Sequence, residues 1–123
     1  MTTVRLLADG GAAFAAMFDA IDRATASVFL EMYIFAADAT GRALRDRLAA
    51  AAGRGVRVMV LVDAWGSWTT ADSFWGPVRA AGGRVRHFHP IRLGFLPFRN
   101  HRKLLLVDNA VAWLGGMNVA DEY

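Results

Sequence analysis

Two residue clusters near the end of the chain carry the types and spacings that could do chemistry. The first is His101-x-Lys103-x4-Asp108, and the second, seven residues on, is Gly115-Gly116-x-Asn118. Lys103 is the only lysine of the 14 basic residues, and all the others are arginine. In an extended strand, side chains two apart share a face about 7 Å apart, so His101 and Lys103 could reach a single phosphoryl group. A neutral imidazole can attack phosphorus and split one displacement into two easier steps through a covalent intermediate. An ammonium and an amide donor, Lys103 and Asn118, would stabilise charge on the non-bridging oxygens. Gly115 and Gly116 would permit the close backbone approach that such a site needs. Asp108 is counted with His101, Lys103 and Asn118 as a catalytic candidate, although at a turn local hydrogen bonding is its simplest role. This chemistry calls for no metal and no cofactor.

These residues need a scaffold, and the periodicity supplies one. Val4 to Leu7 reads as a short strand. Ala12 to Ala24 has helical spacing, with Phe14, Met17, Phe18 and Ile21 on one face. Ser27 to Phe35 reads as a strand buried on both faces. A helix follows from about residue 41 to Ala52, with Thr40 as its N-cap, and Val56 to Val62 forms the next strand. Strand, helix and strand in this order make a βαβ unit with parallel strands and a right-handed crossover. A short helix is expected over Ser73 to Ala81 and a strand over Val85 to Phe88. The hairpin itself runs from His101 to Val107, turns at Asp108-Asn109, and returns through Val111 to Leu114. The expected fold is a single α/β lobe, with a mostly parallel sheet flanked by helices and a closing β-hairpin that carries the chemistry.

Composition narrows the setting. The 123 residues suffice for one core. A net charge of +3 and a pI near 10.2 suit anionic partners, phospholipid headgroups and nucleic acid alike. The absence of cysteine excludes disulfides, thiolate catalysis and thiolate metal sites. The N-terminus lacks the basic-then-apolar pattern of a signal peptide, and no apolar run approaches the ~20 residues that span a bilayer.

Other residues have competing explanations. Glu31, in an otherwise apolar strand, requires a partner; with Tyr33 it could line the floor of the site, and a buried ion pair is the alternative. Asp63, at the end of a parallel strand, suits a cap or a loop hydrogen bond. His87 and His89 share a strand face but have no third ligand nearby, so they make a poor metal site. Trp65, Trp68 and Trp75 read as core or lobe-interface residues, or as part of an acyl-chain wall. Residues 91–99 mix Arg92 and Arg99 with Phe95, Leu96 and Phe98, a composition suited to a bilayer interface.

The motif His101-x-Lys103-x4-Asp108 followed by Gly115-Gly116-x-Asn118 resembles the HKD motif of the phospholipase D superfamily. The longer stretches Asn100 to Asp108 and Gly115 to Tyr123, with Phe29-Leu30-Glu31-Met32-Tyr33-Ile34-Phe35 and Gly55-Val56-Arg57-Val58, are similar to bacterial cardiolipin synthases. The resemblance covers about residues 4–123. It implies His101 as nucleophile or acid/base partner and Lys103 and Asn118 as phosphate ligands; from the residues themselves, Gly115 and Gly116, Arg92 and Arg99 of the mixed loop, and Glu31 and Tyr33 are the expected substrate-binding residues beside them. It further implies phosphatidyl transfer from a phospholipid such as phosphatidylglycerol to an alcohol, at the cytoplasmic face of a membrane to which the protein binds peripherally. Members of the superfamily join two HKD motifs in one active site, and this chain has one. Residues 1–123 are therefore expected to be an N-terminal lobe, truncated, that meets a second lobe of the same chain or a second subunit. A phosphodiesterase or nuclease of the same superfamily is the first alternative, although nucleic acid is not the expected partner. A catalytically incomplete fragment that binds anions or lipids is the second.

Overall fold

The computed structural model describes residues 3–88 and 103–123. Helix α1 (Gly10–Arg23) begins at Asp9, whose carboxylate accepts the Ala12 N–H at 2.8 Å. Strand β1 (Ser27–Met32) follows, then helix α2 (Ala39–Gly53) and strand β2 (Arg57–Asp63). A 3₁₀ turn (Asp72–Trp75) runs directly into the short helix α3 (Gly76–Ala80), and strands β3 (Arg84–Phe88), β4 (Leu104–Val107) and β5 (Val111–Leu114) complete the order. The five strands form one sheet in the order β3-β2-β1-β4-β5. β1, β2 and β3 pair in parallel, β4 runs antiparallel to β1, and β5 antiparallel to β4. Four strands thus point one way and β4 alone opposes them.

Registers explain where the core sits. Val28, Leu30 and Met32 stand beside Val58, Val60 and Val62 on one side, and beside Val107 and Leu105 on the other. All eight are at most 5% exposed. This face meets α1, α2, the 3₁₀ turn and α3 through Ile21, Leu44, Leu48, Trp75 and Val78, each fully buried. Trp75 stacks edge-on against Phe35 and Phe74 at 4.6 and 5.0 Å, a favoured geometry for aromatic pairs. The opposite face carries Phe29, Met59, Leu61, Leu104 and Leu106, all half-buried, with the exposed Arg84 and Arg86 along its β3 side.

Several expectations change. Val4 and Leu6 belong to no strand and are 91% and 88% exposed; alternation is absent from so short a run, and β3 and β5 already hold the sheet edges. β1 ends at Met32, and Phe35 lies beyond the sheet, in an isolated parallel bridge with Val119. Asp38, not Thr40, caps α2, accepting the Gly41 N–H at 2.9 Å. A side chain on Gly41 would collide with the Ala36 carbonyl, which fixes the tight entry to the helix. The helix expected over 73–81 is divided, because Pro77 at its first turn can start a helix but cannot donate backward. Trp75 is core, whereas Trp65 and Trp68 are 49% and 70% exposed.

Candidate active site

The site is built where the C-terminal end of β1 meets the start of β4. Extended one residue beyond the ladder that pairs Glu31 with Leu104, the register sets Lys103 beside Met32. Its ammonium lies 5.7 Å from the centre of the Tyr33 ring, within cation–π range. Tyr33 is held from behind by the loop after β2. A side chain on Gly66 would come within 2.7 Å of two Tyr33 ring carbons, so only glycine permits this approach. The loop is itself pinned by Asp63, fully buried, whose carboxylate accepts the Trp65 and Gly66 N–H groups at 2.9 Å each. Ser67 completes the brace: its hydroxyl donates to the Tyr33 carbonyl at 3.0 Å and accepts the Phe35 N–H at 2.9 Å. Asp63 thus makes the expected loop hydrogen bonds, while Ser67 and Gly66 were not foreseen. Their only signal is a small pair, Gly-Ser, between two tryptophans.

Asn118 returns to the same end of the sheet. It is 5% exposed, and its carbonyl oxygen accepts the Ile34 N–H at 3.0 Å. That bond orients the amide, so its NH₂ group faces the Tyr123 hydroxyl at 3.2 Å. Backbone pairing of Val119 with Ile34 and Ala36, at 3.0 and 2.8 Å, holds the segment in place. Asp38 and Asp121 lock it further: Asp38 accepts the Asp121 N–H and Asp121 accepts the Thr40 N–H, each at 2.7 Å. Bonding from the Thr40 hydroxyl, then from its N–H, lowers the Asp121 carboxyl below its ordinary range. Gly115 and Gly116 line the same cleft as Lys103.

Asp108 lies elsewhere. Asp108 and Asn109 adopt left-handed backbone angles, with φ of 53° and 55°, at the hairpin turn. Asp108 is five residues along the strand from Lys103, about 17 Å away. Its carboxylate accepts from the N–H groups of Ser27 at 3.0 Å, Ala26 at 2.8 Å and Thr25 at 3.1 Å, and from the Thr25 hydroxyl at 3.4 Å. Those backbone donors, Ser27 foremost, hold its carboxyl below the usual aspartate range. Local bonding within the turn was expected; the bonds instead reach across to the segment between α1 and β1.

Glu31, 8% exposed, pairs with Leu104 on the sheet face away from the helices. Lys103 shares its cleft with Met32 and Leu105 of the helix-covered face. His87 pairs with Val62, next to the last pair of the β3–β2 ladder. His101, His89, Arg92 and Arg99 lie outside the described residues. Among the described residues, no helix is long and apolar enough to cross a membrane.

The family described as "cardiolipin synthase, PLD-like domain" matches residues 17–123. A cardiolipin synthase of Geobacillus thermodenitrificans is 41% identical over 122 residues, covering 96% of this chain and 24% of that protein. The major cardiolipin synthase of Bacillus subtilis is 39% identical over 125 residues, covering 98% and 26%. The chain thus spans about a quarter of the length of these curated relatives. Among solved structures, the phospholipase D family member Nuc from Salmonella typhimurium superposes with a TM-score of 0.65 at 25% identity, over 87% of this chain and 64% of that one. NucT from Helicobacter pylori shares the fold, with a TM-score of 0.67 at 17% identity over 91% and 70%.

Proposed function

The chain belongs to the phospholipase D-like domain family of the cardiolipin synthases, and we propose on that premise that it is the N-terminal lobe of a phosphatidyltransferase. The donor is a phospholipid such as phosphatidylglycerol and the acceptor is an alcohol. The His101 imidazole attacks phosphorus, a P–N bond forms, and the donor's alcohol leaves with a proton from a second histidine. The acceptor hydroxyl gives its proton back to that histidine, attacks phosphorus, and breaks the P–N bond. Lys103 and the NH₂ group of Asn118 hold the non-bridging oxygens while charge builds. Asp108 acts through the fold, by anchoring the strand that carries Lys103.

One observation carries this reading above the others. Lys103 beside Tyr33, and the oriented amide of Asn118 on Ile34, converge on the same end of β1 from two separate segments. A cation and a fixed amide donor there suit a phosphate. The second histidine comes from a further lobe of a longer polypeptide or from a second copy of the chain, in keeping with relatives about four times as long. The protein works at the membrane surface, with its site at headgroup level on the cytoplasmic side.

Phosphatidyl transfer is assayed with phosphatidylglycerol vesicles and the chain at concentrations that favour dimers. His101→Ala is expected to abolish transfer, and Lys103→Ala to reduce it on the order of 10²–10³-fold, both with unchanged folding. Transfer that survives His101→Ala would refute the mechanism. Analysis of products separates transfer to alcohol from hydrolysis, the outcome for a phosphodiesterase. A chain that binds phosphate esters without turnover in any assembly is the incomplete fragment.

A further inference from the structure

Five polar or charged side chains are buried among the described residues: Glu31, Asp63, Ser67, Thr70 and Asn118. A buried polar group costs stability unless it is hydrogen-bonded, so the bonds it makes mark where the fold demands precision. Three of the five bond the backbone of residues 33–35. Ser67 joins Tyr33 to Phe35, Thr70 donates its hydroxyl to the Phe35 carbonyl at 2.6 Å, and Asn118 accepts the Ile34 N–H. A fourth, Asp63, fixes the loop that carries Ser67 and Thr70. The segment held in this way lies just past β1, where the ladders of the sheet no longer place it. Phe35 packs into the core against Trp75, whereas the Tyr33 ring, half-buried, faces the Lys103 ammonium.

A lysine gains from such a neighbour. Its ammonium is a compact charge on a flexible stem, and ordering that stem costs rotamer entropy. A carboxylate would order it but would cancel its charge. The face of an aromatic ring attracts the ammonium without neutralising it, and so keeps its N–H donors and its charge of use to phosphate oxygens. The ring must itself be fixed to do this. Gly66 lets the loop close on it, since a side chain there would come within 2.7 Å of the Tyr33 Cδ2 and Cε2 atoms.

We propose that Tyr33 is a positioning residue for phosphoryl transfer: its ring, backed by the loop from Asp63 to Thr70, sets the Lys103 ammonium where the phosphate oxygens meet it. The inference rests on the phosphatidyltransfer reading and adds to it a residue that acts through Lys103 rather than on the substrate. The loop after β2 then governs the rate although none of its side chains reacts.

Lys103 is the only lysine in the chain, so isotope-labelled lysine gives a single set of side-chain NMR signals. Its ε-methylene protons are expected to be shielded by the ring, to stay shielded in Tyr33→Phe, and to return to the position of free lysine in Tyr33→Leu. In the vesicle assay, kcat is expected to fall about two- to fivefold in Tyr33→Leu and less than about twofold in Tyr33→Phe, with KM little changed in either. Increasingly fluorinated phenylalanines at position 33 keep the ring's shape while weakening its negative face, and kcat is expected to decline along the series. That series keeps the proposal falsifiable if Tyr33→Leu does not fold. An unshielded Lys103 in a chain whose transfer is lost in Lys103→Ala would overturn the positioning role and leave the transfer reading standing. Tyr33→Phe as slow as Tyr33→Leu would overturn it too, by making the hydroxyl a substrate ligand, as would a rate indifferent to fluorination. If the chain transfers nothing and dimethyl phosphate leaves the Lys103 signals unmoved, the transfer reading fails, and the positioning role with it.

Discussion

The two ends of β4 begin alike and finish differently. Both carry a charged side chain, separated by four apolar residues. At the turn, Asp108 is consumed by the fold, accepting from three consecutive backbone N–H groups and one hydroxyl. At the entry, Lys103 rests over an aromatic ring and beside a cleft. A spacing that reads in sequence as one motif is therefore two devices about 17 Å apart. One fixes the strand against the segment before β1, and the other faces the space where chemistry is proposed. Residues that read as one motif in sequence can thus stand apart in the fold, with Asp108 anchoring the turn and Lys103 beside the cleft.

The contrast is broken most severely from the middle. Leu105 is 1% exposed between the two ends, and Leu105→Ala is expected to cost about 2–5 kcal/mol, seen as a lower urea midpoint, with loss of phosphate-ester binding as well. A smaller and more selective effect is expected of Asp108→Asn. The carboxyl is held below its unfolded value, so its stabilisation is complete above the unfolded pKa, near ~3.9, and fades as pH falls through the folded value. The melting temperature of the variant should lie below that of the parent at pH 7, with the gap closing in acid. A gap that is constant with pH would show that the charge of Asp108 does not matter. Binding at the Lys103 end should change little in this variant, which sharpens the separation. The smallest effect is expected of Tyr123→Phe, which removes one hydrogen bond to Asn118 from a side chain that is 40% exposed. Less than about 1 kcal/mol of stability is at stake, and any change in substrate affinity would report on the freedom of the Asn118 amide.

How much of this was legible in the sequence differs from element to element. The βαβ unit and the hairpin were legible because the apolar runs Ser27 to Phe35, Val56 to Val62 and Leu104 to Val107 are set apart by a helical stripe through Leu44 and Leu48, by Gly53 and Gly55, and by the turn residues Asp108 and Asn109. The apolar character of both faces of β1 was legible also, but the sequence does not say which helices cover which face. Val4 to Leu7 misled because a short apolar run has no periodicity to test. At the site, residue types announced Lys103 and Asn118. The braces around them were silent: Ser67 on Tyr33 and Phe35, Asp38 on Asp121, and Thr25 on Asp108 are small polar residues that join only once distant segments meet. The cleft was equally hidden, since Met17, Met32 and Met117 lie in three separate segments of the chain.

The hydrogen bonds that set the site have a consequence for the order of folding. Asp108 bonds to residues 81–83 positions earlier, Asn118 to one 84 positions earlier, and Asp121 to partners 81 and 83 positions earlier. Closing loops of that size costs entropy that local helices and the β1–α2–β2 unit do not incur. On a ribosome, therefore, the helices and the parallel strands can gather early, while the lysine, the amide and their braces come together only after nearly the whole stretch has been synthesised.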